Sequence, residues 1–504
     1  MNQRFDLLAS HAGARAAAPA CRDLETGQSW SYAALDRDVN RAAAWLVAQL
    51  GPASGARIAT IARNSGNQIV LHLACIRAGA IFVPFNWRLA VPELAALIAD
   101  AQPTLLFHDE DFALPQSFAG TRFILARLPE LIAEAPDAPP PSARRPTDAP
   151  ATLLYTSGTS GKPKGVIITE QNIFWGCAGF VLGNDVTIRS VMLCDMPMFH
   201  TVGLFAASRS VLLAGGALLV SAGFNAAKTL ARIADPELGV THYFSVPQMA
   251  QMLWQEKNFD PAILRRLTVY AMGGAPNPAP QIERFVRAGI KMSDGFGMSE
   301  TCSVSGMPVH DPDMLLAKAG SCGLPYFAVE TRIVDDDGAD LPAGRTGELW
   351  LRGPNITPGY WNQPELTAKA FTDGWFRTGD AAIRDADGFL FLVDRKKDMF
   401  ISGGENVYPA EVEAALAALD GVAEAAVVGV PDERWGEVGR AYVTTTPGAV
   451  LTEADVLAHC RARLARFKVP ATVVINRTIP RTATGKIQKQ QLKAIAVEEL
   501  GQTP

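Results

Sequence analysis

Cysteine is scarce in this 504-residue chain. The seven residues, at 21, 75, 177, 194, 302, 322 and 460, are odd in number, scattered, and never in CxxC spacing. That usage excludes a disulfide framework and a cysteine zinc site, and fits reduced thiols in a cytoplasm. A large excess of one charge is lacking too. The net charge is −5 and no basic block occurs, so nucleic acid is not expected as a partner. No run of about 18 uninterrupted apolar residues, the length a bilayer-spanning helix needs, is present. Residues 202–223 come nearest, and Arg209 with several glycines and serines interrupts them. The first residues carry Arg4, Asp6, His11 and Arg15 without a sustained apolar stretch, so no signal peptide is expected. The P-loop spacing G-x-x-x-x-G-K-[ST] is absent as well. The expectation is a soluble, cytoplasmic protein of more than one domain with no membrane span.

What is present is a loop of unusual composition at residues 155–165, YTSGTSGKPKG. Gly158, Gly161 and Gly165 let backbone approach a ligand closely. Tyr155, Thr156, Ser157, Thr159 and Ser160 offer hydroxyls, and Lys162 and Lys164 offer positive charge. The mixture suits a polyanion such as nucleotide phosphates. Thr152-Leu153-Leu154-Tyr155 before it and Val166-Ile167-Ile168-Thr169 after it both read as strand. A flexible surface loop is the bland alternative, and the lysines and apolar flanks argue against it.

Elsewhere helical and strand patterns alternate, which favours α/β layers. Residues 35–50 have helical spacing, and residues 58–61 and 81–84 read as buried strands. Residues 134–150 form a proline-rich connector. A second boundary falls at the charged run DRKKD, 394–398, which as a sequence reads equally as a solvated face. Beyond it a helix is predicted to open at Pro409, a strand at 425–430, and a capped helix after Thr452-x-x-Asp455. This last stretch has the makings of a small α/β domain.

Three further clusters can carry chemistry. In DGFGMSET, 294–301, Phe296 can stack on a base, Ser299 can bond a phosphate, and Glu300 can hold Mg2+, a hard cation that favours oxygen. A glycine-bounded turn beside a core phenylalanine explains the same residues. Arg377-Thr378-Gly379-Asp380 offers a carboxylate to a ribose diol, or is an ordinary turn. Arg481-Thr482-Ala483-Thr484-Gly485-Lys486 presents one lysine, which alone reads as a surface residue.

Together and in this order the clusters closely resemble the acyl- and aryl-CoA synthetases of the adenylate-forming superfamily. The resemblance runs over nearly the whole chain: YTSGTSGKPKG, MPMFH (196–200), GGAP (273–276), GFGMSE (295–300), GELWLRGPNITPGYW (347–361), RTGD (377–380), DRKKDMFISGGENVYPAEVE (394–413), FKVP (467–470) and PRTATGK (480–486). It implies an α/β protein with a large N-terminal domain of layered sheets and helices, residues 1–393. A hinge at 394–397 and a small mobile α/β C-terminal domain at 398–504 follow. It implies ATP, Mg2+ and coenzyme A as co-substrates and cofactor, a small carboxylic acid as substrate, and is compatible with a homodimer.

The resemblance also implies roles. Thr156, Ser157, Gly158, Thr159, Ser160 and Lys164 would grip the β- and γ-phosphates. Gly274, Ala275 and Pro276, with Asp294, Gly295 and Phe296, would wall the adenine. Ser299 would touch the α-phosphate and Glu300 would bind Mg2+. Asp380 and Arg395 would hold the ribose. Lys486 would reach the substrate carboxylate and the α-phosphate, Lys397 would mark the hinge, and Gly403 and Gly404 would line the route of the CoA thiol. His200 resembles a gate between acid and nucleotide, although a packed core histidine explains it too. Phe296 stands where tyrosine is usual and Ser299 where threonine is commoner; stacking and the hydroxyl both survive.

The segments expected around the acid, 199–205, 244–249, 272–275 and 298–307, contain no lysine or arginine. A dicarboxylate is therefore disfavoured, and an apolar acid is expected, either a hydroxycinnamate such as ferulate or 4-coumarate or a medium- to long-chain fatty acid. Two other classes compete with an acid–CoA ligase. One is an adenylating enzyme that loads a separate carrier protein; the other is a nucleotide-binding protein without catalysis.

Overall fold

Short β-branched runs between amphipathic helices build a six-stranded sheet from residues 57–169. The computed structural model describes residues 6–137, 145–156, 163–275, 277–395, 398–402, 405–432, 435–481 and 487–501. The sheet runs in the order Thr121–Ile124, Leu105–His108, Arg57–Ile61, Ile81–Pro84, Pro150–Thr156, Lys164–Thr169. All neighbours are parallel except the last pair. Ile81–Pro84 is buried throughout, as a central parallel strand covered on both faces must be. The helix Tyr32–Leu50 is capped by Ser31, whose side chain accepts from the Ala34 amide. It turns Leu35, Val39, Ala42 and Leu46 inward at helical spacing.

The second sheet has nine strands in the order Leu324–Pro325, Cys302–Gly306, Met292–Met298, Val269–Gly273, His242–Ser245, Val191–Cys194, Ala217–Val220, Pro19–Asp23, Ser29–Ser31. The six from Met292–Met298 to Pro19–Asp23 are parallel. A third, wholly antiparallel sheet joins Glu330–Val334, Thr346–Arg352, Phe371–Thr372, Trp375–Arg384 and Leu390–Arg395.

The fourth sheet is built entirely from residues 400–475 and closes a separate core. Phe400, Val412, Leu416, Val427, Ala441, Val456 and Cys460 are buried there. The chain is thus an α/β protein with a large N-terminal domain of sheets and helices and a smaller C-terminal one. Its helices Pro409–Ala417 and Glu453–Arg463 start where expected, the second with a reciprocal capping box between Thr452 and Asp455. Leu390–Arg395 runs on as strand through the start of the charged run, pairing Asp394 with Ala381 and Arg395 with Asp380. Lys396 and Lys397 lie outside the described residues.

Residues 202–223, the most apolar stretch, are not one helix. They divide into a π-helical segment Val202–Arg209, the short helix Ser210–Ala214 and the strand Ala217–Val220. No helix among the described residues is long and apolar enough to cross a membrane.

Candidate active site

The parallel pairing of three strands stops at one level. Ser245 pairs with Met272, and Gly273 with Gly295. The loops that follow leave the sheet at one carboxyl edge, where parallel α/β sheets bind ligands. This edge brings together Gly274 and Ala275 after one strand and Asp294, Gly295 and Phe296 at the end of the next. The tight turn Ser299-Glu300-Thr301 into the antiparallel strand Cys302–Gly306 lies beside them. Thr301 closes the turn, its hydroxyl accepting from the Met298 amide at 3.0 Å.

Glu300 is held from outside its own sheet. The Tyr360 hydroxyl donates to Glu300 Oε1 at 3.0 Å, and the Thr357 amide donates to the Glu300 carbonyl at 2.7 Å. The same loop runs along the strand Lys164–Thr169: Ile167 N donates to Gly359 O, and Trp361 N to Gly165 O. Tyr360 therefore ties Glu300 to the hairpin in which Thr156 pairs directly with Lys164. Among the described residues no group of three or more His, Cys, Asp or Glu could hold a metal by itself. One half-buried carboxylate tied to the strand Lys164–Thr169 fits Mg2+, which keeps one or two carboxylates and takes its other ligands from phosphates and water.

Asp294 and Asp380 both act on the buried Cys322 thiol through their charge. Burial first, and then these two carboxylates, push that thiol up to about 12. Asp380 is 6% exposed, and its amide donates to the Thr378 hydroxyl at 3.0 Å. It faces Arg395 across the antiparallel pair, so the two expected ribose ligands occupy one rung. Burial pushes the Asp294 carboxyl up to about 8, although the Gly295 amide donates to it at 3.0 Å. An unfolded aspartate ionises near pH 4, whereas this one keeps its proton to about pH 8, so the native state binds more protons between those values and loses stability as pH rises. Asp294→Asn removes the titration. Thermal melts should show the wild type losing ground to this variant from about pH 4 to 8, with a constant gap beyond.

Below the edge lies a cavity of about 550 Å³ including its mouth. All four expected segments contribute, through Thr201 and Phe205, Phe244, Met272 and Ser303 among others, and among the described residues no lysine or arginine lines it. The π-helical turn places Val202, Phe205 and Ala206 on its wall, a conformation that recurs at functional sites. His200 stands just outside the lining, its ring edge-on to Phe199 at 4.6 Å. Phe296 lines the cavity and also packs against the core that holds Val304, Cys322 and Leu390. Ser157, Gly158, Thr159, Ser160, Pro276, Lys397, Gly403, Gly404 and Lys486 lie outside the described residues.

The sequence reading missed one wall. Gly176, Cys177, Phe180 and Asn184 of the helix Glu170–Gly183 and its C-terminal cap line the cavity, together with Tyr326. A signal was available: glycines at 176, 179 and 183 fall at helical spacing, and such a stripe marks a face that something approaches closely.

Residues 8–361 match the AMP-binding enzyme family, and residues 411–486 match the AMP-binding enzyme C-terminal domain. A feruloyl-CoA synthase from Amycolatopsis sp is 38% identical, covering 93% of this chain and 94% of its own length. The long-chain-fatty-acid–CoA ligase FadD13 of Mycobacterium tuberculosis is 33% identical over 92% of both chains. The crystal structure of ATP-bound MatB from Rhodopseudomonas palustris superposes with a TM-score of 0.90 at 31% identity, covering 98% of this chain and 99% of that one. The chain belongs to the AMP-binding, adenylate-forming enzyme family and is an AMP-forming acid–thiol ligase that works with ATP, Mg2+ and coenzyme A.

Proposed function

We propose that the protein joins an apolar carboxylic acid, a hydroxycinnamate or a medium- to long-chain fatty acid, to coenzyme A in two steps at the carboxyl edge of the nine-stranded sheet. A carboxylate is a poor electrophile because its leaving group would be oxide. Its oxygen attacks the α-phosphorus of ATP, the bond to the β-phosphate breaks, and pyrophosphate leaves. The CoA thiolate then attacks the acyl carbon, and AMP departs.

The chain's own residues divide the work. Thr156, Ser157, Gly158, Thr159, Ser160 and Lys164 hold the outer phosphates, and Gly274, Ala275, Pro276, Asp294, Gly295 and Phe296 wall the base. Asp380 and Arg395 take the ribose diol, and Ser299 bonds the α-phosphate. Glu300 would hold Mg2+, which would offset charge on the phosphates. Lys486 neutralises the reacting oxygens in the first step and is withdrawn when the C-terminal domain turns about Lys397, which brings Gly403 and Gly404 to the thiol's path. His200 gates the acid from the nucleotide. The seven thiols, all free and buried, fit a reducing compartment, and we read the enzyme as cytoplasmic.

The observation that carries the proposal is the meeting, at one edge, of the Glu300–Tyr360–hairpin link with a mostly apolar cavity that no lysine or arginine among the described residues lines. The test is pyrophosphate release across a panel of acids, followed by detection of AMP and thioester with CoA or a carrier protein as acceptor. Acid-dependent release with thioester on CoA is expected. Release that ignores the acid would sink the ligase reading, and thioester on a carrier protein alone would change the acceptor.

A further inference from the structure

The cavity is lined mainly by apolar side chains and glycine. Of its other polar residues, Thr201, Ser293, Ser303 and Ser305, the Ser293 and Ser305 hydroxyls donate to the Met307 and Cys322 carbonyls, and a polar pair, Tyr326 and Asn184, stands at one end. There Tyr326 is enclosed by three glycines: a Cβ on Gly179, Gly183 or Gly306 would come within 2.8, 2.3 and 2.5 Å of its side chain. A phenylalanine would fill the same space, so the volume alone does not call for a hydroxyl. That hydroxyl accepts from Asn184 Nδ2 at 3.2 Å, which leaves its own proton to donate, and burial keeps the phenol protonated.

Asn184 is 2% exposed and fixed on three sides. Its Nδ2 also donates to the Phe180 carbonyl at 3.1 Å, its amide caps the same carbonyl, and its own carbonyl is bonded by His242 Nε2 at 3.0 Å. Its Oδ1 is buried and has no hydrogen-bond partner among the described residues. A buried acceptor left unpaired costs free energy, and a built site supplies its donor.

The location is remote from the reacting end. Asn172, near the start of the helix Glu170–Gly183, donates to Ile356 O at 2.8 Å, next to the Thr357 amide that bonds Glu300. Asn184 lies twelve residues on, or about 18 Å along a helix at 1.5 Å per residue.

We propose that the acid carries a hydroxyl at the end far from its carboxylate, and that this hydroxyl donates to Asn184 Oδ1 while accepting from the Tyr326 hydroxyl. A hydroxyl does both at once, whereas a carbonyl only accepts and a hydrocarbon end does neither. The walls between are the rings of Phe180, Phe205 and Phe244 and the flat backbone of Gly273, Gly274 and Gly295, which suit an aromatic ring. The substrate class is therefore a hydroxyaryl acid. This assignment rests on the ligase reading above.

The test is kcat/KM, by pyrophosphate release, for 4-hydroxycinnamate, cinnamate, decanoate and 10-hydroxydecanoate. The wild type should prefer the hydroxylated over the plain cinnamate by about 10- to 100-fold, the range that one unpaired buried polar group commands. Tyr326→Phe should bring that ratio down towards one through loss on the hydroxylated acid. Asn184→Ala reads the same ratio if the first variant does not fold. A wild-type ratio near one, or one that survives both substitutions, overturns the assignment, as does a preference for decanoate or its hydroxy derivative. Release with none of the four or with any other acid would remove the ligase reading itself.

Discussion

Replacing Lys486 by alanine is expected to abolish adenylate formation, by about 10²- to 10³-fold or more, while thioester formation from pre-made acyl-AMP stays largely intact. In the first step negative charge builds on the phosphoryl oxygens as the carboxylate, itself an anion, approaches a polyanion. A positioned cation acts on charge that exists only there, and losing such a group costs about 3–4 kcal/mol of barrier. In the second step the electrophile is already activated and AMP leaves readily, so the same amine has little to offset. Pyrophosphate release reads the first half-reaction, and AMP release from synthetic acyl-AMP plus CoA reads the second. Equal loss in both would contradict the division of labour.

The second large effect is structural. Gly297 sits where the strand Met292–Met298 slips register against Cys302–Gly306, and a Cβ there would lie 2.1 Å from the Cys302 carbonyl oxygen. Backbone cannot yield as a flexible side chain does. Gly297→Ala must push apart the two strands whose turn carries Ser299 and Glu300, at a cost of about 2–4 kcal/mol. Denaturant melts should show that loss together with a collapse of adenylation. Gly13→Ala is the control: it lies in the helix Leu8–Ala14 with nothing within 4 Å of the added carbon, and should be neutral or slightly stabilising. Equal stability of the two variants would overturn the argument.

The parts of the site written in consecutive residues were legible before the fold was known. The loop at 155–165 announces its strands because glycine and hydroxyls interrupt two apolar runs, and those two strands pair antiparallel. The turn 298–301 is local as well. What could not be read was contact between distant segments. Nothing in GYW, 359–361, says that Tyr360 will reach Glu300 sixty residues earlier. Nothing around Tyr326 says that its ring will fill a groove left by glycines 140 residues away. The apolar stretch 202–223 was read as interrupted, but how it divides was not legible: its composition gives hydrophobicity, whereas where the backbone loosens into a π-helical turn depends on packing. Gly203, for example, lies against the Met196 and Pro197 carbonyls.

The strand Pro19–Asp23 has a consequence for how the protein is made. Its partner Ala217–Val220 leaves the ribosome about 200 residues later, on the order of 10–40 s at ordinary elongation rates. The six-stranded sheet, complete at residue 169, has its chain in hand well before that. For the interval, Pro19–Asp23 has only the short strand Ser29–Ser31 to pair with, and its other edge, with Ala20 and Cys21 that are buried in the finished enzyme, stands open to other nascent chains.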